Sequence, residues 1–140
     1  MDRIQLEVIT PERRLLLEAV DAVQVPGANG ELGILPGHTP LISQINSGVL
    51  SYTQGNSTER LHVAGGFVEV GDDRVTVLAD AAERVGEIDA ARARTARERY
   101  ERQLSSFSGD ATEFEEARVG LERATTRLQL AGETAQTGAR

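Results

Sequence analysis

The hydrophobic pattern changes its period partway along the chain, and no other feature limits the fold so strongly. Ile4, Leu6 and Val8 alternate with Arg3, Gln5 and Glu7; Val63 follows Leu61; Val68 and Val70 bracket Glu69; Val75 and Val77 bracket Thr76. A period of two marks strands that bury one face. Beyond residue 90 the spacing lengthens. Ala93, Ala96, Tyr100, Leu104 and Phe107, then Phe114, Ala117, Leu121, Ala124, Leu128 and Ala131, recur at every third or fourth position. That spacing is one face of a helix. The backbone breakers divide at the same place. Pro11, Pro26, Pro36 and Pro40 are the four prolines, and ten of the 14 glycines precede residue 87. Gly and Pro punctuate turns and are costly inside helices. The expected class is α+β: a turn-rich β domain over residues 1–86 and a helical domain over 87–140.

Within the first domain the short strands are separated by Thr10-Pro11-Glu12, Gly27-Ala28-Asn29-Gly30, Gly55-Asn56-Ser57 and Gly71-Asp72-Asp73. Such spacing suggests a small antiparallel sandwich or barrel with a modest core. In the second domain, Ser105-Ser106-Phe107-Ser108-Gly109-Asp110 separates the two helical stripes. Gly109 suits a helix C-terminus, and Asp110 with Glu113 has capping-box spacing. Two stripes joined by a short polar loop predict an antiparallel hairpin, each helix of about 20 residues running about 30 Å. Five of the 11 stripe positions are alanine. Burying a Leu or Phe side chain contributes roughly 1.5–3 kcal/mol and an alanine much less. The seam is therefore weakly held and suits a hairpin that opens. A stripe chosen only for helix propensity looks the same.

Composition excludes several chemistries. The chain has 140 residues and a formal charge of −7, and all 15 basic residues are arginine. An acidic surface does not neutralise nucleic-acid phosphates. Without lysine there is no Schiff base and no P-loop lysine. Without cysteine there is no disulfide and no thiolate site. No apolar run reaches the ~20 residues of a membrane helix, so direct membrane insertion is not expected. The opening Met1-Asp2-Arg3-Ile4-Gln5-Leu6 has no presequence character, which implies a cytosolic-side protein.

Three motifs stand out. Residues 26–40 carry so many glycines and prolines that they demand specific backbone angles. His38 lies in this run and His62 in a predicted strand; neither has triad or metal-ligand spacing, so surface or turn positions are expected. Ile88-Asp89-Ala90-Ala91-Arg92-Ala93 opens the first helix. Asp89 and Arg92 share a face, Arg99 lies two turns beyond Arg92, and Arg123 and Arg127 are four apart on the second helix. These arginines could converge on a polyphosphate or pair with Glu98, Glu101 and Glu122 on a solvated surface. No acid–base or nucleophile cluster appears. A small enzyme and a free-standing ligand-binding module remain the competing classes.

The run Pro26-Gly27 … Gly30-Glu31 … Gly33-Ile34-Leu35-Pro36-Gly37-His38-Thr39-Pro40-Leu41 resembles the epsilon subunit of the F-type proton-translocating ATP synthase. So do Leu6-Glu7-Val8-Ile9-Thr10-Pro11-Glu12, Gly65-Gly66-Phe67-Val68-Glu69-Val70 and Val75-Thr76-Val77-Leu78-Ala79-Asp80. The likeness covers the chain to about Ala131, beyond which a flexible tail is expected. It implies a ten-stranded antiparallel β-sandwich followed by a two-helix hairpin, in a non-catalytic rotor-stalk subunit. It implies docking on the gamma subunit and on the c-subunit ring, with contact in the region of Glu31 and His38. It implies a hairpin that brakes ATP hydrolysis when extended into the alpha/beta hexamer, where Arg118, Arg123 and Arg127 could meet acidic segments. The Ile/Leu-Asp-x-x-Arg-Ala pattern is present as Ile88, Asp89, Arg92 and Ala93. With Glu83, Arg99, Arg123 and Arg127 it implies a regulatory ATP site, no cofactor being required. The implied location is the cytoplasmic face of a bacterial plasma membrane, a plastid thylakoid being the alternative.

Overall fold

The computed structural model describes residues 2–138, with side chains to residue 132. Two compact units are present, Met1–Arg84 and Val85–Arg140. The first contains eight strands: β1 (Ile4–Ile9), β2 (Arg14–Val20), β3 (Ala22–Gly27), β4 (Gly30–Ile34), β5 (Leu41–Gln44), β6 (Gly48–Gln54), β7 (Ser57–Gly71) and β8 (Arg74–Arg84).

The ladder runs β2-β1-β8-β7-β6-β3-β4, with β5 also on β7. Strand β7 changes partner along its length. Residues up to Val63 pair with β6, and residues from Phe67 pair with β5. Strand β8 does likewise, since only its Arg74–Leu78 half pairs with β1. The long strands therefore serve two layers: β2-β1-β8-β7-β5 and β8-β7-β6-β3-β4. Counted as continuous strands there are eight among the described residues, not the expected ten. The expected ten corresponds to five per layer, with β7 and β8 counted twice. The pairing is also not wholly antiparallel, because β1 and β8 run parallel. Period-two patterning reports which face is buried and carries no information on strand direction.

The change of partner on β7 falls at Gly65 and Gly66, whose φ values are +67° and +106°. A Cβ on Gly66 would collide with the Leu78 carbonyl oxygen. Only glycine allows both the dihedral and the close approach. The β7–β8 register nevertheless continues, with Ala64 opposite Ala81 and Gly66 opposite Ala79. Between the layers lies one core that includes Leu6, Val8, Val23, Val25, Ile34, Leu50, Leu61, Val63, Val68 and Val77, all buried. A side chain also ties β6 to β2. Gln54 Nε2 at the end of β6 donates to Glu18 Oε2 and Ala19 O on β2, at 2.6 and 3.0 Å.

The second unit contains a 3-10 turn (Val85–Glu87), helix α1 (Ala90–Ser105) and helix α2 (Ala111–Gly138). Asp89 caps α1, its side chain accepting from Arg92 N. Asp110 Oδ1 accepts from Glu113 N at 2.8 Å at the start of α2. Helix α1 ends at Ser105, earlier than Gly109. The hydroxyls of Ser105 and Ser106 both donate to Arg102 O at 3.0 Å, offering that carbonyl an alternative to helical continuation. The tail expected beyond about residue 131 falls almost wholly outside the described side chains.

Candidate functional site

In the β unit, the Gly/Pro-rich run builds a hairpin and then a tight turn. Gly27 pairs with Gly30 across Ala28-Asn29, and Glu31 is exposed on β4 opposite Pro26. Leu35-Pro36-Gly37-His38 follows as a turn closed by His38 N donating to Leu35 O at 3.1 Å. Pro36 precedes Gly37 at φ +84°, the sequence and dihedral of a type II turn. His38 is half-buried, and its Nδ1 lies 2.6 Å from Thr39 O.

The outer face of the same unit carries an apolar row that the motif reading missed. Phe67 pairs with Leu78 and Leu78 with Ile9, while Ile42 sits one row away opposite Glu69. Ile42, Phe67 and Leu78 are 72%, 54% and 50% exposed. Their period-two positions opposite buried residues were the available signal.

His62 departs from the surface position expected of it. It is 4% exposed on β7, directly across from Glu83 on β8, with Nδ1 3.2 Å from Glu83 Oε1. A carboxylate only accepts, so Nδ1 carries the hydrogen. Glu83, the first member of the expected nucleotide set, thus has one oxygen committed within the β unit.

The other members lie in the second unit. Ile88 N donates to Val85 O at 3.2 Å, and Asp89 is the α1 cap. Ala93 is fully buried and its N donates to Asp89 O. The Ile-Asp-x-x-Arg-Ala pattern is therefore, first of all, a helix opening. Arg92 and Arg99 are exposed. The Arg99 guanidinium lies 4.8 Å from the Tyr100 ring centroid and donates to its hydroxyl at 3.1 Å. Arg123 is half-buried, and its Nε has no hydrogen-bond partner. Arg127 is half-buried and partnered. Glu101 and Glu122 are paired with Arg97 and Arg118, which lie outside the expected arginine set, and Glu115 also holds Arg118.

The helices pack through small residues. Ala93, Ala117 and Ala124 are buried, and Gly120 lies so close under the Tyr100 ring that a Cβ there would overlap it. Tyr100 opposite Gly120 fixes the antiparallel register. Helical periodicity then puts Arg92 and Arg99 beside one edge of the α1 stripe, and Arg123 and Arg127 beside the matching edge on α2. At the turn end, Phe107 and Phe114 meet edge to face with centroids 5.2 Å apart. Phe114 nonetheless stays 43% exposed, and Leu130, outside the expected stripe, is buried where Leu128 is only half so. No described helix is long and apolar enough to cross a membrane.

Residues 3–85 match the ATP synthase delta/epsilon chain β-sandwich domain, and residues 87–132 match the long α-helix domain of the same chain. The ATP synthase epsilon chain of Syntrophobacter fumaroxidans is 46% identical over 133 residues, covering 95% of this chain and 98% of that relative. That of Halalkalibacterium halodurans is 42% identical over 132 residues, covering 94% and 99%. A chain in the Euglena gracilis mitochondrial ATP synthase structure, comprising OSCP, F1 and c-ring, superposes with a TM-score of 0.77 at 25% identity, covering 96% of this chain and 81% of that one. A chain from the Tetrahymena thermophila central stalk and c-ring shares the fold, with a TM-score of 0.64 at 11% identity over 93% and 97%. The chain belongs to the ATP synthase delta/epsilon family and, within it, to the epsilon chains.

Proposed function

We propose that this epsilon chain is a non-catalytic rotor-stalk subunit. Its β unit docks on the gamma subunit and the c-ring, and its hairpin restrains ATP hydrolysis in a manner answering to ATP. The placement is peripheral, on the cytoplasmic face of the membrane that holds the ring. Support for docking comes from the exposed Ile42, Phe67 and Leu78, and from the outward turn at Leu35–His38. Contiguous exposed apolar residues commonly mark association surfaces.

The observation that carries the regulatory half is the α1–α2 seam. Ala117, Gly120 and Ala124 contribute less to pairing the helices than leucines at those positions would, which lowers the cost of parting them, while the Tyr100 ring and the Phe107–Phe114 pair supply the larger contacts. Arg92, Arg99, Arg123 and Arg127 border one edge of that seam, where guanidinium forks match phosphate oxygens. ATP favours the paired state only by binding it better than the parted one. A shift from 1:99 to 99:1 needs about 5.5 kcal/mol of differential binding, a sum that several charge-assisted bonds reach. The parted helices would place Arg118, Arg123 and Arg127 against acidic segments of the alpha/beta hexamer.

Calorimetric titration of the full chain with ATP tests the sensor. Binding below millimolar is expected, weakened about tenfold or more by Arg92→Ala. No binding in that range, or binding indifferent to R92A, would remove the sensor and leave the family assignment intact.

A further inference from the structure

The β7–β8 turn is unusual in its residues. Asp72 and Asp73 have φ of 51° and 56°. Two successive left-handed residues make the tight turn that matches strand twist, and Asn-Gly or Asp-Gly is the sequence that makes it cheaply. A non-glycine residue is strained in this region, although Asp tolerates it better than most.

The Asp73 side chain has a task that glycine could not perform. Its Oδ1 accepts from Gly37 N at 2.7 Å, across 36 residues of chain. Its carbonyl accepts from Gln5 N at 2.9 Å, tying the turn to the start of β1. Gly37 is the left-handed residue of the Leu35–His38 turn and lies between the two side chains that flank it. Leu35 and His38 lie over Ile4, Val70, Asp73 and Val75, leaving no space for a water between them. Leu35 remains 64% exposed.

We propose that Asp73 is a positioning residue for docking: its carboxylate latches the Gly37 amide and so holds Leu35 and His38 in the shape the rotor partners recognise. This rests on the reading that the Glu31–His38 region docks. The latch preorganises an exposed loop, which lowers the ordering cost of association. Its bond is charge-assisted and contributes more than a neutral one.

Two substitutions separate the side chain from the backbone. Asp73→Gly keeps positive φ and removes the acceptor; Asp73→Asn keeps both an acceptor and tolerance of positive φ. The full chain is titrated onto ATP synthase complex stripped of its own epsilon chain, while the Gly37 amide resonance is followed by NMR. D73G is expected to lose the displaced Gly37 amide shift and to bind about tenfold more weakly, with D73N close to wild type. D73G binding like wild type, or a Gly37 amide unaffected by D73G, would overturn the proposal. Failure of the unaltered chain to bind would instead overturn the docking reading beneath it.

Discussion

Asp21 closes the corner between β2 and β3 with two bonds from distant parts of the chain. Its Oδ2 accepts from Gly55 N at 2.6 Å and its Oδ1 from Arg3 Nε at 3.2 Å. The Gly55 amide first, and the Arg3 charge after it, hold the Asp21 carboxyl below the usual carboxylate range. A carboxyl whose pKa is lower folded than unfolded adds stability above its unfolded pKa, and that stability is lost as pH falls through the folded value. Asp21→Asn should therefore lower the thermal midpoint near neutral pH. The gap from wild type should close as pH drops below the ordinary aspartate value; melts from pH 7 to 2 read this directly, and coincident curves at pH 7 would contradict it. No local pattern announces Asp21, because its partners lie 18 and 34 residues away. His62 was hidden for the same reason: its partner Glu83 is brought opposite only by the β7–β8 register.

At the scale of elements, the alternation of Ile4, Leu6 and Val8 and the 3–4 spacing of the alanines identify strands and helices because burial imposes those periods. Ala28-Asn29, Gly55-Asn56 and Asp72-Asp73 are turns in the structure and Pro11-Glu12 is a bend, while the Gly/Pro-rich run at 26–40 holds two turns, with Gly33 inside β4. Strand number and direction were not legible. Gly65 and Gly66 let one strand serve two layers, and the parallel β1–β8 pair depends on chain routing. The α1 terminus was misplaced because serine hydroxyls competed with the helix four residues before the obvious glycine. Gly120 shows how packing overrides propensity. Ala at an exposed helical site would be worth about 1 kcal/mol over Gly. Here its Cβ would strike the Tyr100 ring. Gly120→Ala is therefore expected to weaken the helix pairing and speed hydrogen exchange of α1 amides. Slower exchange would show that propensity dominates and that the seam is looser than described.

For the whole molecule, the chain joins a well-cored β unit to a helical unit whose helices meet through alanine, glycine and a few aromatic rings. The contrast in buried side chains is a contrast in stability: strands around Leu6, Val25, Leu50 and Val63 resist opening, while the small residues of the helix seam have less apolar area to lose. The Gly/Pro-rich run was readable because its backbone angles demand those residues. The spacing of the four arginines suits a polyphosphate and a solvated surface equally, and only the family resemblance favours the first. The most direct measurement is the ATP hydrolysis rate of the reconstituted complex carrying either the full chain or the chain ending at residue 86. The account predicts that the shortened chain still assembles and that hydrolysis rises severalfold; equal rates, with both chains bound, would contradict a restraining role for the hairpin.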